Sequence, residues 1–268
     1  SKLTKIIEIE EVEDAEYTSS VEFEGEILDV DIKQTDSWEG LNVILISQSI
    51  QSNTAGFSYF PSSVFQLGSD IFISKEYSEP KFVTSDNTNY DYEVLIHEIG
   101  HALGLKHPFE ADSLNDVILN TFEDQTKFTA MSYNHNPETF DGNFRVLDWM
   151  ALTKFYGVKS TYNAGDDIYE FSNSGGTFII DGEGVDTINA YAALQDITID
   201  LRPGAHSHLG AKSNFITDPK QLTISHGSDI ENVLTGPGDD TVIGTELDNL
   251  FLTGDGSDKI FAGNGADK

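Results

Sequence analysis

The sequence predicts an α+β domain, a twisted mixed sheet with one ligand-bearing helix, followed by an all-β parallel β-roll. Three observations predict it. As far as Gly157, short apolar runs with strand character surround two stretches of helical character, near Tyr92–Leu103 and Arg145–Phe155. In the first of these, His97 and His101 stand four apart, so on a helix they lie one above the other and can pinch one metal ion. From Asp166 helical periodicity disappears, and from Thr235 glycine, aspartate and apolar residues recur with a nine-residue period. The domain boundary is placed after Gly157, giving 1–157 and 158–268.

Residues 1–28 are dense in glutamate, and Ile6, Ile7, Ile9 and Val12 fit a helix or an alternating strand equally. Ile27–Lys33 and Leu41–Ser47 read as strands, the second a buried run of Leu, Val and Ile. Gly56–Phe60 alternates and is closed by Pro61, and Ser69–Ser74 is a further strand. A polar loop leads to the first helix, whose core face is Val94, Leu95, Ala102 and Leu103. The stretch from His107 to Met131 is acidic and loop-rich, and Asn134–Phe144 is polar, with His135 read as a surface histidine. Arg145–Phe155 is amphipathic through Leu147, Ala151, Leu152 and Phe155, and Tyr156-Gly157 ends it.

Gly104 can take the left-handed conformation that ends a helix, and the turn lets His107 bring a third imidazole from another direction. Three protein nitrogens and one open position are what a catalytic zinc requires, whereas a structural zinc is closed by four protein ligands. Glu98, beside the first ligand, is placed to act on water held by the metal rather than on the metal itself.

The extended pattern from His97 to His107, followed at once by Pro108 and later by Ala130-Met131-Ser132-Tyr133, resembles the serralysin branch of the metzincins. With two methionines in the whole chain, a Met-x-Tyr at that place is hard to ascribe to chance. The string from Leu147-Asp148 to Lys154-Phe155-Tyr156-Gly157 resembles the last helix of serralysin catalytic domains. The resemblance implies a metzincin catalytic domain, a zinc metalloendopeptidase with one catalytic Zn2+ on His97, His101 and His107. It implies that Glu98 is the general base. Tyr133 would be an extra zinc ligand that swings away to hydrogen-bond the oxyanion, over a floor formed by Met131. Gly56–Phe60 would be the antiparallel edge strand to which a peptide substrate adds. The family carries a first strand and a long helix before its second strand, for which residues 1–28 are short. A late start, a pro-region remnant and a divergent N-terminus all stay open.

Four units make up the nine-residue period: Thr235–Ile243, Gly244–Leu252, Thr253–Phe261 and Ala262–Lys268. The sixth position carries Asp240, Asn249, Asp258 and Asp267, and the eighth carries Val242, Phe251 and Ile260. Asp181–Asn189, with Asp186 sixth, is an outlying copy, and His226–Leu234 a degenerate one. The pattern resembles the repeat of RTX proteins, in which glycine turns and an aspartate bind calcium and the apolar residue stacks inside a β-roll. The Ca2+ ligands it implies are Asp186, Gly236, Gly238, Asp240, Gly254, Gly256, Asp258, Gly263, Gly265 and Asp267. Leu247 and Asn249 break the pattern in the second unit. The chain stops inside a repeat at Lys268, so a truncated roll is expected, and the family's C-terminal secretion signal would lie further on.

A net charge of −31 repels phosphate backbones, so nucleic acid is not expected as a partner, and the repeats favour divalent cations. Without cysteine neither disulfides nor a thiol switch can operate, and metal ions would have to staple a secreted chain. No apolar run is long enough to span a bilayer, and no signal peptide is visible at Ser1, which suits a mature, truncated or cytosolic chain alike. The expectation is a secreted monomer, exported by a bacterial type I route with surface association open, acting on protein or peptide substrates, with a proteinaceous inhibitor as a further partner. A rival from another class is a calcium-dependent surface or adhesive RTX protein with an inactive protease-like domain. A cytosolic metal buffer is disfavoured, because extracellular-type calcium sites bind too weakly for the cytosol.

Overall fold

The structure, a computed structural model, describes residues 4–9, 27–29, 31–34, 43–51, 53–65, 67–74, 90–111, 115–135, 143–173 and 175–268. The chain divides into two compact units, Ser1–Gly25 with Val30–Leu152, and Glu26–Asp29 with Thr153–Lys268.

The first unit carries strands β1 (Thr4–Ile9), β2 (Asp31–Gln34), β3 (Val43–Ser49), β4 (Gly56–Ser58) and β5 (Ile71–Ser74). They form one sheet in the order β2-β1-β3-β5-β4, parallel except for β4, which runs antiparallel to β5 at the edge. Of the segment 1–28, open between helix and strand, residues 4–9 form a strand, rich in β-branched isoleucine and paired on both sides, and residues 1–3 and 10–26 lie outside the described residues. The expected strand at Ile27 starts at Asp31 instead. Ile27 and Leu28 belong to the second unit, where Leu28 bridges Val158 and Lys159 N donates to Ile27 O at 2.7 Å. Both side chains are buried, and the pull of that burial explains the shifted start.

Helix α1 (Tyr90–Ala102) buries Leu95, Ile96, Ile99 and Ala102. Val94, expected in its core face, is half-buried and lines a cleft. Gly104, at φ +99°, ends the helix in a two-bond motif: Leu105 N donates to Gly100 O and Gly104 N to His101 O, both at 2.9 Å. A side chain there would be strained, which is the physical reason for glycine. Helix α2 (Val146–Tyr156) begins with the Asp148 carboxylate accepting from Arg145 N at 2.9 Å, which satisfies a free donor of its first turn.

The second unit is a roll of two sheets. One runs β15 (Lys259–Phe261), β13 (Thr241–Ile243), β9 (Ile197–Asp200), β10 (His206–Leu209), β11 (Gln221–Ile224) and β7 (Thr177–Ile179). The other runs β14 (Leu250–Leu252), β12 (Asn232–Thr235), β8 (Thr187–Ala190) and β6 (Ile168–Glu170). Asn232 pairs with Leu250 and Thr241 with Lys259, both in parallel. Each turn of the coil therefore takes two nine-residue units, one per sheet. Ile188, Ile199, Leu222, Val233 and Val242 fill the space between the sheets, so the eighth-position Val242 sits where the period placed it. The roll is not parallel throughout: β10 pairs antiparallel with both β9 and β11, in the stretch where the nine-residue period is lost.

Candidate active site

The three imidazoles converge. His107 Nε2 lies 3.2 Å from His97 Nε2 and 3.1 Å from His101 Nε2. Three ligands at the usual zinc–nitrogen distance of 2.0–2.1 Å around a tetrahedral ion stand about 3.3 Å apart, so the spacing fits. These contacts are not hydrogen bonds, because each ring spends its proton elsewhere. His97 Nδ1 donates to Ala130 O at 2.8 Å, His101 Nδ1 to Leu105 O at 2.7 Å, and His107 Nδ1 to Glu110 Oε2 at 3.0 Å. All three Nε2 lone pairs thus face one point, an arrangement that a cation relieves. Burial holds His97 at a pKa of about 3 and His101 at about 4, so both are neutral ligands at any physiological pH.

Glu98 stands on the same helix, with its Oε2 buried and without a hydrogen-bond partner. Burial raises its pKa to about 7. Two concavities, of about 480 and 360 Å³, share Glu98 and Tyr133 on their walls. The larger is bounded by Val94, Ala130, Ser132 and His135, the smaller by Ser58, Phe60, Lys106 and Glu110. His135, expected on the surface, is half-buried in this wall. Residues 136–142 of the polar Asn134–Phe144 stretch lie outside the described residues.

Tyr133 is 61% exposed, and its Oη lies 2.9 Å from His107 Nε2. Its neighbours are tied down: Ser132 Oγ donates to Asp124 Oδ1 at 2.7 Å, and Thr126 N to Asn134 O at 2.9 Å. On this fixed backbone the ring lies against His97, His107 and Phe109, with centroids 5.3, 4.8 and 5.2 Å away. Met131 is buried directly against Gly100, where any Cβ would strike its sulfur. Asp148 holds this turn, accepting from Thr129 Oγ at 2.6 Å and Ala130 N at 2.7 Å. Ala130 in turn orients His97, so Asp148 acts on the first ligand through one backbone residue. Burial lifts Asp148 to about 6, against these hydrogen bonds. Arg145, bound to both Glu93 oxygens at 3.0 Å, forms a buried pair beside it. Asp148→Ala would leave three donors unpaired, so a loss of about 3 kcal/mol is expected. Zinc affinity, measured by chelator competition, should fall by about 10-fold or more.

No protein-family model matches the chain. Curated relatives do. It is 30% identical to a serralysin of Proteus mirabilis over 236 residues, 74% of this chain and 47% of that protein. It is 30% identical to metallopeptidase AprA of Pseudomonas marginalis, over 75% of this chain and 47% of the relative. Serralysin C of Dickeya chrysanthemi matches at 30% over 71% and 43%. The chain belongs to the serralysin family of metallopeptidases. It spans about half the length of the curated relatives it matches.

In this serralysin-family chain the predicted calcium residues fall into two groups. Asp186 joins Asp167 and Asp181 in a cluster whose carboxylate oxygens lie within 4.8 Å of one another. Asp181 and Asp186 are fully buried, each has an oxygen without a partner, and the Tyr169 hydroxyl donates to Asp181. Burial, with mutual repulsion, raises Asp181 to about 7 and raises Asp186 as well. Such a donor set suits a hard dication. Asp167 and Asp181 were not among the expected ligands; the signal was the Asp166-Asp167 pair one turn before an aspartate that opens the outlying repeat. The other predicted residues form a ladder. Asp240 N donates to Asp258 Oδ1 at 3.0 Å, and Asn249 N to Asp267 Oδ1 at 2.9 Å, each 18 residues on. Gly254 and Gly256 stack on the carbonyls of Gly236 and Gly238, and Gly263 and Gly265 on those of Thr245 and Leu247, where a Cβ would collide. Asn249, the pattern-breaker, is buried, accepting from Thr245 N at 2.9 Å and donating to Glu231 O at 2.9 Å.

Proposed function

We propose that this chain is the catalytic and repeat-bearing part of a secreted, calcium-stabilised zinc metalloendopeptidase that hydrolyses internal peptide bonds. The observation that carries the reading is the convergence of three Nε2 atoms beside the unpartnered buried oxygen of Glu98. Bound zinc would polarise the scissile carbonyl and acidify water towards a pKa of ~7.

The chain's own residues do the rest. Glu98 Oε2 takes the proton of the attacking water and later delivers it to the leaving amine. A pKa near neutrality suits a group that must do both. The Tyr133 hydroxyl, at the edge of the histidine cluster on an exposed side chain, swings to donate to the developing oxyanion. β4, an edge strand beside Glu98, lends its free backbone groups to an extended substrate. Asp167, Asp181 and Asp186 hold Ca2+, and the further repeat aspartates Asp240, Asp258 and Asp267 contribute as calcium enters the roll. Among the described residues no helix is long and apolar enough to cross a membrane. The chain acts as a monomer on proteins or peptides, with protein inhibitors as the other class of partner and no nucleic acid. It leaves the cell by a type I route.

Tyr133→Phe is expected to lower kcat by about 10-fold or more with little change in KM, since its hydrogen bond forms in the transition state. Steady-state kinetics on a quenched peptide measure this. An unchanged kcat would reduce Tyr133 to packing beside the histidines. Mass spectrometry of denatured protein digested by the zinc-loaded chain tests the activity itself, and no new internal cleavage would refute it.

A further inference from the structure

The edge strand has a second face. Gly56 and Ser58 look towards α1: a Cβ on Gly56 would meet Glu98 Cγ at 2.9 Å, and Ser58 Oγ donates to the Glu98 carbonyl at 2.9 Å. Strand alternation turns the rings of Phe57 and Tyr59 onto the other face, as their contacts show, although Phe57 also borders the smaller concavity. Phe57 stacks on Phe72 at 4.8 Å, and Tyr59 meets Phe57, Phe65 and Phe72 edge-on at 5.8, 5.3 and 6.1 Å. This four-ring cluster is ordered by its own contacts yet not covered. Phe57, Tyr59 and Phe65 stay 38%, 37% and 47% exposed, next to Val64 at 90%.

The backbone of the same strand says what covers it. Bonds into the sheet come from alternate residues: Ser74 N to Ala55 O at 2.8 Å, Tyr59 N to Asp70 O at 3.0 Å and Ser69 N to Tyr59 O at 3.1 Å. The backbone groups of Ser58 and Phe60 therefore point outward from the sheet. A polypeptide pairing there sends successive side chains to opposite faces. One set enters the cleft beside Phe60 and His101, whose rings lie 5.5 Å apart. The other set lies over Phe57 and Tyr59, at cross-strand Cβ separations of about 4.5–5.5 Å.

We infer that the Phe57–Tyr59–Phe65–Phe72 cluster is a second substrate-recognition surface, which takes apolar side chains of an extended polypeptide at positions alternating with those that enter the cleft. The inference rests on the proteolytic reading above. It makes long, apolar, unfolded segments the favoured substrate class and leaves short peptides poorly used.

The test compares quenched peptides on the zinc-loaded full chain: a short one spanning only the scissile bond, and decapeptides carrying Phe or Ser at alternate positions. The Phe decapeptide is expected to exceed its Ser twin about 10-fold in kcat/KM, mainly through KM. Phe65→Ser and Tyr59→Ser should abolish that preference, with zinc content and melting temperature followed as controls; Phe65 lies off β4, so its loss spares the strand pairing. Equal hydrolysis of the two decapeptides by the unmodified chain overturns the inference, whatever becomes of the variants. A preference that survives both substitutions also overturns it, as does gel filtration showing that these rings join two copies of the chain. Cleavage without Phe/Ser discrimination removes this inference alone, whereas no cleavage of any peptide removes the proteolytic reading and this with it.

Discussion

Glu98→Ala is expected to lower peptide hydrolysis at least ~10²-fold while zinc stays bound and the fold persists. Glu98 shares α1 with His97 and His101 and borders both concavities with the three histidines, but it is not a member of their cluster. Removing it deletes a base and spares the ligands. The metal-free protein adds a second readout. The folded pKa of Glu98, about 7, stands above its ordinary value of 4.5, so its contribution to stability is full below about pH 4.5 and lost as pH rises through 7. At ~1.4 kcal/mol per pKa unit this comes to about 3 kcal/mol, and Glu98→Gln should flatten that part of the pH profile. A variant that keeps a tenth of its turnover would show that another group takes the proton.

Calcium should rescue the roll, and more strongly at high pH than at low. Asp181 and Asp186 have raised folded pKa values, Asp181 to about 7 from 3.8. With a chelator present, their stability contribution is full below about pH 4 and lost as pH climbs through 7, so the melting temperature should fall over that range. Calcium needs the ionised carboxylates, so its effect runs the opposite way. At a hundred times the dissociation constant one site stabilises by about 2.7 kcal/mol, a rise on the order of 10 °C for a unit of this size. Asp181→Asn should remove most of that rise. Identical melting curves in calcium and chelator at pH 8 would mean that this cluster holds no cation.

What the sequence disclosed about the site follows from how local the chemistry is. His97, Glu98, His101, Gly104 and His107 lie within eleven residues, and helix geometry followed by the turn at Gly104 brings them together. Asp148 escaped notice because its partners, Thr129 and Ala130, are 19 and 18 residues away and meet it only in the folded chain. The cluster of Asp167, Asp181 and Asp186 is similar: Asp167 stands 19 residues, about one coil of the roll, before Asp186, and neither Asp167 nor Asp181 occupies the sixth position of a repeat. In the fold, regular alternation made Gly56–Phe60 readable as the strand at Gly56–Ser58, the short apolar run within Ser69–Ser74 was readable too, and the nine-residue period made the register of Thr241 with Lys259 readable. Thr4–Ile9 was ambiguous because its flanking glutamates suit either period, and sheet pairing on both sides decides it. The antiparallel β10 lies where the repeat lapses, so no periodic signal announced it.

The proposed proteolytic function requires His97, His101, His107 and Glu98 to form one zinc-dependent hydrolytic centre. The most direct measurement is to strip the chain with a chelator, hold calcium constant, and titrate zinc while following hydrolysis of a quenched peptide. Activity should start near zero and rise linearly to a plateau at one zinc per chain, and His107→Ala should abolish the rise. Full hydrolysis before any zinc is added, or none at one equivalent bound, would contradict it.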